Sequence, residues 1–193
     1  MGTTRQDSLD NIIAAEGNLQ VRLLHEDDLP HLLQWLADPR VLEFYEGRDT
    51  TWPADRIREH FFGPPDHNAE FIRVAICLDG TPVGYGQLYQ LYGPLFEEYA
   101  YPDPGQPVYA MDQFLGVPEL WGQGVGTRYV RLVTDFLVNL RGAVAVLLDP
   151  RKANTRAVRC YEKAGYRIVG ELPAHELHEG TWQDCWLMEY VPQ

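Results

Sequence analysis

The chain has 193 residues, 45% hydrophobic and 23% charged, a balance that predicts one water-soluble domain with length enough for a substantial core. Its 28 acids against 16 Lys and Arg leave a formal charge of −12, which argues against nucleic acid and towards a cationic partner. No apolar run is long enough to span a bilayer, and Cys77, Cys160 and Cys185 are too scattered for a disulfide framework or a zinc site. A cytoplasmic protein with no membrane partner and no metal is expected.

Residues 1–18 are polar apart from Ile12-Ile13-Ala14-Ala15 and read as an arm, either loose or a small added helix. Alternation over 19–24 predicts a strand, and Leu29, Leu32, Leu33 and Leu36 recur at helical spacing until Pro39. The aromatic segment Glu43-Phe44-Tyr45 follows, then a helix over about 53–62 with Pro53 at its start. Residues 70–78 and 81–92 read as strands joined by an Asp79-Gly80 hairpin turn. Residues 93–107 break the pattern with Pro94, Pro102, Pro104 and Pro107, and read as a long functional loop carrying Glu97, Glu98, Tyr99 and Asp103. A strand over 108–117 carries Asp112. A helix then runs to about residue 140, a buried strand covers 143–148, and a helix over 154–164 is closed by Gly165. Two last strands, 166–172 and 182–190, flank a polar loop around Gly180.

Trp121-Gly122-Gln123-Gly124-Val125-Gly126-Thr127 opens the long helix. Glycines let backbone approach a ligand closely, and a helix start offers unpaired N–H groups, so the stretch suits a diphosphate. The spacing fails the Gly-x-Gly-x-x-Gly of dinucleotide folds, and no Gly-Lys-Ser/Thr follows as a P-loop requires. His175-Glu176-Leu177-His178 sets its histidines one residue too close for a His-Glu-x-x-His zinc site.

A second mark lies downstream. Asp149-Pro150 and Asn154-Thr155-Arg156-Ala157-Val158-Arg159-Cys160-Tyr161-Glu162-Lys163-Ala164-Gly165-Tyr166 resemble the helix after the fifth strand in the GNAT superfamily of N-acetyltransferases. The glycine stretch resembles that superfamily's acetyl-CoA loop, with Trp121 where Gln or Arg is commonest. The likeness extends over 21–164 to aminoglycoside 6′-N-acetyltransferases. It is carried by Gln34-Trp35-Leu36, Glu43-Phe44-Tyr45, Gly84-Tyr85-Gly86-Gln87-Leu88-Tyr89, Glu97-Glu98, Asp103-Pro104-Gly105 and Met111-Asp112-Gln113. Residues 175–184 depart, looking more like the final hairpin of enzymes acting on protein N-termini or siderophore amines.

The resemblance implies an α/β GNAT fold: a mixed, mostly antiparallel sheet of six or seven strands, about four flanking helices, and a splay between strands 4 and 5. One domain would occupy 19–193. The implied reaction is direct acetyl transfer from acetyl-CoA to an aminoglycoside 6′-amine, the other acceptors remaining open, as do a silent acyl-CoA sensor and a sequestering binder. Tyr161 would donate the proton to the leaving thiolate, and Asp112 would bind and deprotonate the amine. Phe114 and Gly116 would hold the thioester arm; Gln123, Gly124, Val125, Gly126 and Thr127 the pyrophosphate; Asn154 the pantetheine. A cationic sugar wants carboxylates and aromatic faces, which Glu97, Glu98, Asp103 and Asp149 with Phe44, Tyr45 and Tyr99 supply, although Glu97 and Glu98 read equally well as solvated. Cys160 lacks an activating base, which favours direct transfer. Monomer and homodimer both stay open.

Overall fold

The computed structural model describes residues 11–64 and 71–192. Strands β1 (Ile12–Glu16), β2 (Leu19–Leu23), β3 (Phe71–Leu78), β4 (Thr81–Gln90) and β5 (Val108–Leu115) run antiparallel in chain order. β6 (Ala145–Leu148) lies parallel to β5, and β8 (Thr181–Tyr190) and β7 (Arg167–His178) complete one eight-stranded sheet in the order β1-β2-β3-β4-β5-β6-β8-β7. The Asp79-Gly80 turn has φ of 49° and 78°, the left-handed pair that a two-residue hairpin needs.

Helices α5 (Val125–Arg141) and α6 (Thr155–Ala164) cover one face of the sheet. Tyr129, Val133 and Leu137 of α5 pack there on Val21, Val74, Ile76 and Met111, all almost fully buried. The other face carries two separate clusters. Leu32 and Trp35 of α1 (Leu29–Trp35) and Val41 of α2 (Pro39–Leu42) join Ile57 of α3 (Ala54–Ile57), Tyr85 and Phe114 in one. Phe96 of α4 (Pro94–Glu98) joins Tyr89, Tyr99, Ala110, Leu147 and Leu187 in the other. Alternate side chains of β5 share a face. Asp112 therefore stands at the seam, between Ala110 of one cluster and Phe114 of the other.

β5 and β6 pair only from Val108↔Ala145 to Ala110↔Leu147. β6 ends at Leu148, before Asp149-Pro150, so the last residues of β5 have no partner on that side and a notch opens there. This is the splay expected between strands 4 and 5, counted without β1.

Several expectations need correction. Among the described residues the sheet has eight strands rather than six or seven, and six α-helices flank it rather than about four. Of the arm expected over 1–18, residues 1–10 lie outside the described part. Ile12–Glu16 is neither loose nor helical but a strand on β2, where Ile13 and Ala14 gain apolar contact. The helix expected over 53–62 passes at Arg58–Phe62 into a π turn, which carries Phe61 against Trp52 and Tyr85 at ring distances of 5.7 and 4.8 Å. The long loop holds α4, because Pro94 presets its first turn and Phe96 and Tyr99 share one buried face. β7 continues to His178, so the polar loop shrinks to Glu179-Gly180.

Candidate active site

A cleft of about 700 Å³ lies between the start of α5, the start of α6 and the free end of β5. Gly122 and Gly124 at its mouth have φ of 75° and 83°, and a side chain on either would meet only open space; backbone conformation, not crowding, requires glycine there. The first bond within α5 runs from Arg128 N–H to the Gly124 carbonyl at 3.0 Å. The N–H groups of Val125, Gly126 and Thr127 thus have no carbonyl within the helix and sit at the positive end of a 17-residue dipole.

Five of the 16 Lys and Arg residues line this cleft (Arg128, Arg131, Arg156, Arg159 and Lys163), and no carboxylate does among the described residues. In a chain of net charge −12 this is a segregated positive site, and it fits an extended polyphosphate ligand such as acetyl-CoA. Arg156 is held between two rings, its guanidinium 3.9 Å from the centre of Trp121 and 4.3 Å from that of Phe44. Burial draws its pKa down, with Glu43 opposing. The Trp121 indole N–H is fixed by the Leu115 carbonyl at 2.9 Å.

Tyr161 reaches the floor of the cleft from α6. The Gln113 amide donates to its hydroxyl oxygen at 2.6 Å, leaving the hydroxyl proton free to be given. Burial drives the Tyr161 pKa up, so it stays protonated.

Asp112 faces the opposite side of β5. Its carboxylate accepts from Gln87 Nε2 at 2.7 Å, and Gln87 Oε1 accepts from Tyr85 at 3.1 Å. Burial, reinforced by Asp149, pushes the Asp112 pKa up to about 7 against the pull of the Gln87 hydrogen bond. A carboxylate that titrates near neutrality is matched to proton abstraction from an amine. Asp149, just past β6, accepts from the Tyr99 hydroxyl at 3.3 Å and from His175 Nε2 at 3.0 Å. The Tyr99 hydroxyl also meets that of Tyr89 at 2.6 Å, and Tyr89 in turn bonds Asp112.

The expected residues divide accordingly. Phe114, Gly124, Gly126, Thr127, Asn154 and Tyr161 line the positive cleft, and Val125 starts the helix at its mouth. Asn154 spends its side-chain oxygen capping α6 through Ala157 N–H at 3.2 Å. Gln123 is engaged in its own turn, donating from the backbone to Leu120 and from the side chain to the Glu119 carbonyl at 2.6 Å. The Gly116 N–H donates to the Val83 carbonyl at 2.9 Å, and a Cβ there would fall 2.1 Å from the Trp35 ring, so the position also carries sheet packing. Asp112, Asp149 and Tyr99 come together on the face away from the positive cleft, where the Tyr45 ring lies tilted 4.5 Å from that of Phe114. Phe44 turns instead to Trp121 and Arg156. Glu98 is exposed but within electrostatic reach of His175; Glu97 is exposed, and Asp103 holds its own turn through Gly105 N–H at 2.8 Å.

Arg156, Gln113, Gln87 and His175 were not assigned roles from the sequence. A polar residue beside Asp112 on an apolar strand was the available signal for Gln113. For His175 there was none. It lies within the irregular stretch of β7 between Leu172 and Glu176, with Ala174 at φ 46°, and that irregularity aims it at Asp149.

Residues 25–173 match the profile of the acetyltransferase (GNAT) domain. The chain is 30% identical over 173 residues to aminoglycoside N(6')-acetyltransferase type 1 of Klebsiella pneumoniae, covering 88% of this chain and 83% of that one. The solved structure of AAC(6')-Ib with paromomycin and acetyl-CoA superimposes with a TM-score of 0.74 at 27% identity, covering 92% of this chain and 95% of that one. AAC(6')-Ib with coenzyme A and kanamycin gives 0.71 at 28%, covering 91% and 95%. Fold and cleft define an acetyl-CoA-dependent N-acetyltransferase. The chain belongs to the GNAT acetyltransferase family.

Proposed function

We propose that the enzyme moves acetyl from acetyl-CoA to the 6′-amine of an aminoglycoside, directly and within a ternary complex. The observation that carries this reading is the pair of recessed carboxylates, Asp112 and Asp149, on the face of the sheet away from the positive cleft, with Tyr161 reached through Gln113 beside the same notch. The acceptors named for the relatives, kanamycin among them, support it.

Acetyl-CoA supplies an acyl group already activated as a thioester. The N–H groups of Val125, Gly126 and Thr127, with Arg156 and the other cleft cations, would hold its phosphates, and Phe114 lines the inner end. On the acceptor side, Asp112 pairs with the incoming ammonium and takes its proton, so that an uncharged amine faces the notch. Tyr161 gives its hydroxyl proton to the departing sulfur, and Gln113 keeps that hydroxyl in place. Cys160 stays out of the chemistry: burial raises its pKa, and its sulfur lies 3.4 Å from the Thr127 hydroxyl with no base beside it.

Thiol release from acetyl-CoA with kanamycin, a tripeptide and spermidine offered separately tests this. Turnover is expected with kanamycin; turnover confined to the tripeptide would overturn the acceptor reading and leave the acetyltransferase intact.

A further inference from the structure

Asp149 already has a cation-capable partner, His175. The two side chains meet at 3.0 Å and are only 12% and 21% exposed. The imidazole is wedged edge-on against Tyr99, ring centres 5.8 Å apart, and Tyr99 bonds the other oxygen of Asp149. A left-handed Ala174 in the β7 bulge, its N–H tied to Asp184 at 3.0 Å, directs His175 inward. Backbone strain spent on pointing one imidazole at one carboxylate marks a built feature.

We propose that His175 is a specificity-determining residue, a resident cation that holds the Asp149 position against an acceptor ammonium and so limits how much positive charge the site accepts beside the reacting amine. The inference rests on the acceptor reading given above. While His175 is protonated, the Asp149 pair is closed, and an ammonium must displace it. Once His175 is neutral, Asp149 carries a net charge that draws the acceptor in. The groups facing the imidazole are Asp149 after β6, Glu98 and Tyr99 from the α4 segment, and Glu176 on β7, while Asp112 on β5 feels Asp149 from the far side. The Asp149 hydrogen bond raises the His175 pKa, burial opposing it, so the closed form persists further towards neutral pH than for a free histidine.

The test compares the parent enzyme with His175→Gln, which keeps a donor for Asp149 but cannot be charged. Acceptor KM is measured between about pH 6 and pH 8.5 with kanamycin A and with kanamycin B, which replaces the 2′-hydroxyl with an amine. The parent KM should fall several-fold as pH rises, more for kanamycin B; the variant should keep only the fall common to both acceptors, which belongs to Asp112, and lose the excess for kanamycin B, whose KM is then already lower at acid pH. Parallel profiles for parent and variant, with both acceptors turned over, would overturn this inference alone. No turnover of either acceptor by the parent would overturn the acceptor reading and this inference with it. Unfolding of the variant is separated from loss of the pair by His175→Asn, which must lose the same excess for kanamycin B.

Discussion

Gln113 donates a 2.6 Å hydrogen bond to the hydroxyl oxygen of Tyr161, which fixes that hydroxyl as a proton donor. Burial keeps the phenol protonated, and the positive cleft opens directly onto it. Tyr161→Phe should lower kcat by about 100-fold, the scale of general acid catalysis. KM for acetyl-CoA should stay within about twofold, because the lost interaction matters only as sulfur departs. Thiol release under saturating acceptor measures both.

In the proposed mechanism Asp112 takes the proton as a carboxylate, and burial pushes its pKa up to about 7, so kcat/KM should rise with pH through that region. Asp112→Asn should abolish this limb and lower kcat/KM by about 100-fold or more. Stability should move the other way. Folding raises this carboxyl's pKa, so the native state holds the proton more tightly, and its penalty is absent below the ordinary carboxylate pKa and complete once pH passes about 7. Calorimetry should therefore find Asp112→Asn melting above the parent at about pH 8 and level with it near pH 4.

Two glycines should respond differently to the same methyl group. At Gly124 the added Cβ meets nothing but the backbone stays at φ 83°, so Gly124→Ala should cost about 1 kcal/mol and raise KM for acetyl-CoA while leaving acceptor KM alone. At Gly116 the Cβ would drive into Trp35, so Gly116→Ala should cost about 1–3 kcal/mol by chemical denaturation.

Arg156 lies over the rings of Phe44 and Trp121 in the positive cleft. Arg156→Ala should raise the dissociation constant for coenzyme A about tenfold, equivalent to one charge-assisted contact of about 1.4 kcal/mol. Calorimetric titration at low salt measures it, and the difference between parent and variant should narrow as salt screens the cleft.

Periodic elements were readable from the chain. The helix behind the glycines and the helix after Asn154 end within a residue or two of their expected limits, because apolar spacing and Gly165 mark them. Irregular elements were not. The π turn at Arg58–Phe62, the short helix after Gly93 and the β7 bulge each exist because tertiary packing pulls one side chain inward: Phe61, Tyr99 and His175 respectively. The site divides the same way. Asp112 and Tyr161 sit on regular elements with clear patterns, whereas the partner of Asp149 depends on a bulge with no local signature. The packing of Gly116 against Trp35 shows the converse, a tertiary constraint that the sequence around it does not announce.

The most direct measurement is the structure of the product formed from kanamycin A and acetyl-CoA, read by two-dimensional NMR of the purified sugar. The account predicts one new acetamide, on the 6′ nitrogen, formed at a rate that collapses in Asp112→Asn and Tyr161→Phe. An acetyl group on another nitrogen, or the same product at undiminished rate in both variants, would contradict it.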